Sequence, residues 1–98
     1  MHREADVVSQ LERVLSAERT AIIALDAEKV EALAVTKERL FGELKLLELT
    51  ELERGRLRGI VEAARRNVLL LSHARELTRS AIESITADKR AVRVSVTG

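Results

Sequence analysis

The chain has 98 residues, enough for one domain, and a composition typical of long amphipathic helices: 46% hydrophobic, 34% charged, no proline and a single aromatic residue, Phe41. Its formal net charge of +1, with both signs interspersed, gives no strong field toward nucleic acid or an anionic membrane. The absence of cysteine excludes disulfides and thiolate metal sites. We therefore predict an all-α fold, an antiparallel bundle of two to three long helices with coiled-coil-like packing.

The first helix is expected over about residues 5–25. Its stripe is interrupted by Glu18 near the middle. Asp26 follows as a candidate N-cap of the next helix. Because no glycine or proline marks this point, two interpretations stay open: a clean break, or one bent rod formed by the first two helices. The apolar stripe consists of Val8, Leu11, Leu15, Ile22 and Leu25.

The second helix is expected over about residues 26–54, with Lys37 interrupting its stripe. Glycine is favoured at the position just after the end of a helix, so we favour a tight turn at Gly55. The competing interpretation is one uninterrupted helix over about residues 27–86 that tolerates Gly55 and Gly59. The leucines near residue 50 point in more than one direction, which indicates either coverage by two helices or an apolar patch for a partner. The stripe and these leucines are Val30, Leu33, Leu40, Leu44, Leu46, Leu47, Leu49 and Leu52.

The third helix is expected from about Arg56 to Thr86, with a wide apolar face. Asn67 lies beside this face, where it either fixes the register of helix packing or is a solvated edge residue. Beyond it, valines alternate with polar residues in a strand-like pattern, but a lone strand is not stable. We therefore predict a helical bundle domain over residues 1–87 and a flexible tail over residues 88–98, which is either disordered or ordered by a partner.

No enzymatic or cofactor-binding motif is present. His2 and His73 lack further ligands at metal spacing, and no glycine-rich phosphate loop exists. We expect no enzyme activity, no cofactor and no metal. A basic cluster near the predicted turn is either a patch for phosphate or an acidic partner, or a solvated face balanced by glutamates. It comprises Arg54, Arg56, Arg58, Arg65 and Arg66.

Two segments resemble the FlgN-type flagellar export chaperones, in a shortened or divergent form. Over residues 18–48, a glutamate-rich helix passes through an Asp-centred step and continues in a Leu, Thr, Lys, Leu pattern. Over residues 60–82, an asparagine precedes an apolar run on the last long helix. The residues that carry the resemblance are Leu33, Thr36, Lys37, Leu40, Asn67, Val68, Leu69, Leu70 and Leu71.

This resemblance implies a cytoplasmic chaperone of flagellar type III export that holds the C-terminal amphipathic helix of hook–filament junction proteins. An excess of helical apolar surface suits such a partner. Each candidate partner-binding residue has bundle core as its alternative role. The alternative function is a self-associating coiled-coil scaffold, with a homodimer as its form, and a nucleic-acid-binding helical module ranks third. We expect neither a nucleic-acid partner nor insertion into a membrane. The candidates are Leu44, Leu47, Val68, Leu71, Ile82 and Ile85.

Overall fold

The computed structural model describes the backbone of residues 3–97 and the side chains of residues 7–88. It confirms the all-α fold: α1 (Arg3–Ile23), α2 (Ala27–Leu44) and α3 (Glu51–Thr97), with no strand in the described part. The molecule is elongated, 72 × 20 × 18 Å. The 47 residues of α3 span about 70 Å at the α-helical rise, so this helix runs the whole length of the molecule.

The first helix packs against both other helices, and its apolar stripe forms the centre of the core. The short connection after α1 makes α2 antiparallel to it. The third helix runs parallel to α1, because Ser9 contacts Arg56 and, farther along both helices, Leu15 contacts Asn67. The buried core consists of Val7, Val8, Leu11, Leu15, Leu40, Leu44 and Ile60.

The corner between α1 and α2 is a clean break, which excludes the bent rod. The Asp26 amide donates to the carbonyl of Ala21 at 2.9 Å, and the Leu25 amide donates to Ile22 at 3.0 Å. These two bonds define a Schellman motif. The Asp26 carboxylate accepts from the Lys29 amide at 3.2 Å, which confirms the predicted N-cap. Because one residue both closes α1 and opens α2, the chain reverses within residues 24–26.

The predicted turn at Gly55 is wrong, and so is the uninterrupted helix. The chain breaks over residues 45–50, and Thr50 and Glu53 form a capping box that starts α3 upstream of the glycine. The Thr50 hydroxyl accepts from the Glu53 amide at 3.2 Å, and the Glu53 carboxylate accepts from the Thr50 amide at 2.9 Å. Gly55 therefore lies inside α3, with open space around its Cα.

The C-terminal segment is helical up to Thr97, so the predicted end of the third helix near Thr86 is wrong. The alternating valines do not form a strand. A single strand has no hydrogen-bonding partner, whereas a helix that meets no proline satisfies its own backbone. The side chains of residues 89–98 lie outside the described residues. The boundary at residue 87 between a bundle and a flexible tail stays a prediction.

Replacing Gly55 by alanine is expected to raise the free energy of unfolding by about 0.5–1 kcal/mol, because the position is helical and its added methyl group meets no neighbour. Urea unfolding followed by circular dichroism measures the change. Gly59→Ala, also inside α3 with open space around it, serves as the matched comparison. A loss of stability in Gly55→Ala alone would mean that residue 55 is a turn residue after all.

Candidate functional site: an uncovered apolar face on α3

The apolar stripe of α3 is longer than the helices that cover it. Up to about Leu71, the side chains of the stripe that face α1 and α2 are buried or half-buried, whereas Val61 and Val68 at its edge are exposed. The covered side chains are Leu57, Ile60, Ala63, Ala64, Leu70 and Leu71. Farther along, no helix within the described residues covers α3, because α1 ends at Ile23 and α2 begins only at Ala27. The stripe nevertheless continues, and its large side chains there are more than half exposed. These are Leu77 (58%), Ile82 (58%) and Ile85 (56%).

Two open grooves flank this end of the bundle and meet at the corner between α1 and α2. One groove lies between α3 and the start of α2, and the other lies between α3 and the end of α1. Both are lined by Ile22, Leu25, Ala74 and Ile82. Together they form one apolar surface, which we call the tip face. Its large apolar residues are Ile22, Ile23, Leu25, Val30, Leu70, Leu71, Leu77, Ile82 and Ile85.

The six predicted partner-binding residues do not come together. Leu71, Ile82 and Ile85 lie on the tip face. Leu44 is buried in the core and Leu47 packs against it, which is the alternative role considered for both. The sixth, Val68, is exposed and lines a separate shallow groove between α2 and α3, together with Lys37, Phe41, Val61, Ala64, Arg65 and Leu69.

Sequence reasoning missed the contribution of the α1–α2 corner to the tip face. Ile23 and Leu25 are exposed at 63% and 66%, although Leu25 was assigned to the buried stripe of the first helix. Their side chains point outward because α1 ends at Ile23 and the chain turns there. The available signal was the N-cap at Asp26, since apolar residues directly before a cap lie at a bundle end.

The rim of the tip face carries both charges. Arg79 donates to Glu83 at 2.6 Å and also to Glu76, so its charge is balanced within α3. Arg75 and Glu31 line the groove on the α2 side. Exposed pairs of this kind contribute little free energy. The tip face therefore offers apolar contact as its main means of recognition.

A buried polar network joins the three helices just below the tip face. The Glu18 carboxylate accepts from the Lys37 ammonium at 2.7 Å and from the Asn67 amide at 2.9 Å. Asn67 also donates to the carbonyl of Leu15 at 2.9 Å. Glu18 and Asn67 are 3% and 4% exposed, so Asn67 is not a solvated edge residue. Glu18 and Lys37, which interrupt the stripes of α1 and α2, thus pair with each other. Together with Asn67 they fix the register in which the helices pack.

The predicted basic cluster is spread over several contacts. The Arg56 guanidinium donates to Glu12 and to the Ser9 hydroxyl, the latter at 3.2 Å. The hydrogen bond to Glu12 raises the pKa of Arg56 above its ordinary value, and the nearby Glu53 carboxylate adds to this effect. Arg66 pairs with Glu62 along α3. Arg56 therefore ties α3 to α1, and Arg66 balances a neighbouring glutamate on its own helix.

Comparison with known proteins adds no identification: no protein-family model, curated protein or solved structure matches the chain. The resemblance to FlgN-type chaperones stays a prediction. Within the described residues, no three side chains of metal-binding type come together, and His2 lies outside that part. No helix in the described part is both long enough and apolar enough to cross a bilayer.

Replacing Lys37 by methionine is expected to lower the free energy of unfolding by about 1–3 kcal/mol, because the buried Glu18 carboxylate loses its cation. Arg39→Met is the matched control, since it removes an exposed pair with Glu43 on the same helix and should change stability by at most about 0.5 kcal/mol. Chemical denaturation measures both. Equal effects of the two substitutions would contradict a stabilising role for the network.

Proposed function

We propose that the protein is a non-enzymatic chaperone that binds an amphipathic helix of a client protein on its tip face. The observation that carries this proposal is the stripe of α3, which continues past the ends of α1 and α2 with Leu77, Ile82 and Ile85 exposed. An amphipathic helix laid into an apolar groove is a common mode of peptide recognition. Such a client would replace the helix neighbour that the stripe lacks.

The size of the tip face is consistent with a reversible complex. Burying an exposed leucine or isoleucine side chain yields about 1.5–3 kcal/mol. Leu25, Leu77, Ile82 and Ile85 are each more than half exposed, so a client helix could cover several such side chains. Association itself costs about 4–15 kcal/mol. Because these side chains are already partly buried, the gain only overlaps the cost, so we expect a weak, reversible complex, as a carrier that must release its client requires.

The resemblance to the FlgN-type family supplies the class of client. We infer that it is a hook–filament junction protein, held in the cytoplasm by its C-terminal amphipathic helix until the flagellar type III apparatus exports it. Covering that helix would prevent premature polymerisation. The support for this step is the pair of matched segments around Lys37 and Asn67. Those two side chains belong to the polar network that sets where the tip face begins.

A self-associating scaffold is the second candidate function. The same uncovered stripe favours it, since a second copy of α3 also carries an apolar face of the required length. In that case the tip face would be buried between two copies, and a client helix would have to compete with the dimer. Sedimentation velocity over a range of concentrations separates the two functions.

The double substitution Leu77→Glu and Ile82→Glu is expected to weaken binding of a junction-protein C-terminal peptide from the same genome at least about tenfold, because charges would have to be buried against the client. Fluorescence anisotropy with the labelled peptide measures this. Both side chains are more than half exposed in the free chain, so helicity and melting temperature should stay near those of the unsubstituted chain.

Leu46→Glu is the matched control, because Leu46 is 86% exposed and lies outside the tip face, in the connection before α3. It should leave binding unchanged. Two outcomes would contradict the chaperone function: no binding of the peptide to the unsubstituted chain, or equal binding by the double variant. A tight dimer that the double substitution dissociates would favour the scaffold.

A further inference from the structure

The corner of the tip face contains a leucine in a backbone conformation that leucine disfavours. Leu25 has φ of 56°, and among the described residues it alone combines a positive φ with a side chain other than glycine's. The left-handed region brings Cβ close to the carbonyl oxygen, so helices that end in a Schellman motif usually have glycine here. A leucine at this position makes the corner less stable than glycine would.

Contacts of the Leu25 side chain offset little of the cost of this backbone conformation. Its side chain is 66% exposed, so contacts within the protein recover only part of what a buried leucine would gain. The turn itself is held by backbone bonds to Ala21 and Ile22, which any residue at position 25 could make. The side chain nevertheless lines both grooves of the tip face. Residues with strained backbone cluster at functional sites such as ligand clamps.

We propose that Leu25 is an anchor for the client helix, which lies along α3 as a continuation of α1. This proposal rests on the proposed function and deepens it by assigning a residue and a direction. Because α1 and α3 are parallel, the interface between them continues directly into the uncovered stripe beyond Ile23. A helix that extends the line of α1 would contact Leu25 at its end and Leu77 and Ile82 along its side.

The length of the stripe defines the client segment. From Ala74 to Ile85 the stripe advances 11 residues, about 17 Å at the α-helical rise. A client helix of about three turns covers this distance, with apolar residues at i, i+3 or i+4, and i+7 facing α3. The rim carries both charges, with Arg75 and Glu31 on the α2 side, so it does not select a client of either charge.

The test compares substitutions of Leu25 that separate its effect on backbone stability from the contribution of its side chain to binding. Leu25→Gly and Leu25→Asn both suit the left-handed conformation, so both are expected to raise the melting temperature. Both remove the apolar side chain, so both should weaken the anisotropy-measured binding of the junction-protein peptide about tenfold. Leu25→Met keeps an apolar side chain, and it should retain the binding and the melting temperature of the unsubstituted chain.

Greater stability together with weaker binding in the glycine and asparagine variants would support the anchor. Undiminished binding in both variants would overturn it while leaving the proposed function intact, provided that the unsubstituted chain binds the peptide. Failure of the unsubstituted chain to bind would overturn both. A lower melting temperature in both variants would show that Leu25 serves the fold instead, which also overturns the proposal.

Discussion

The main constraint on this molecule is the mismatch in length between α3 and the two helices that cover it. The third helix has 47 residues, whereas α1 has 21 and α2 has 18. A stripe that continues beyond its covering helices leaves apolar side chains in water, which monomeric proteins usually limit. The elongated shape, the two grooves and the exposed Leu77, Ile82 and Ile85 all follow from this one mismatch. So does the proposal that another helix completes the bundle.

The position of the uncovered stripe depends on the register of the helices, and buried polar groups fix that register. Glu18, Lys37 and Asn67 each come from a different helix, and a shift of any helix by one turn would separate them. Such a shift would leave a buried carboxylate without its partners, which is far more costly than repacking leucines. Near the start of α3, the ion pair between Arg56 and Glu12 also links α3 to α1, at the surface. The polar contacts therefore determine which part of the stripe stays open.

Much of the fold could be predicted from the sequence, because composition and periodicity reflect local helix physics. The all-α class, the stripe of α1 except Leu25, and the cap at Asp26 are confirmed. The predicted end of α2 at Gly55 is wrong, because the capping box of Thr50 and Glu53 starts a new helix upstream and the glycine is tolerated inside it. Only part of the polar network could be predicted: register fixing is one of the two roles expected for Asn67, whereas Glu18 and Lys37, viewed alone, are breaks in two stripes whose pairing depends on how the helices pack. Of the candidate site, Leu71, Ile82 and Ile85 were predicted to bind a partner and lie on the tip face, whereas the backbone of Leu25 requires coordinates.

Hydrogen–deuterium exchange along α3 tests the central claim most directly. In the free protein, amides of residues 57–70 should exchange slowly because α1 and α2 pack against that part, and amides of residues 78–88 should exchange rapidly because no helix covers them. Adding the junction-protein peptide should slow exchange in residues 78–88 and at the α1–α2 corner. Uniformly slow exchange along α3 in the dilute free chain, with no change on adding the peptide, would contradict an uncovered docking face.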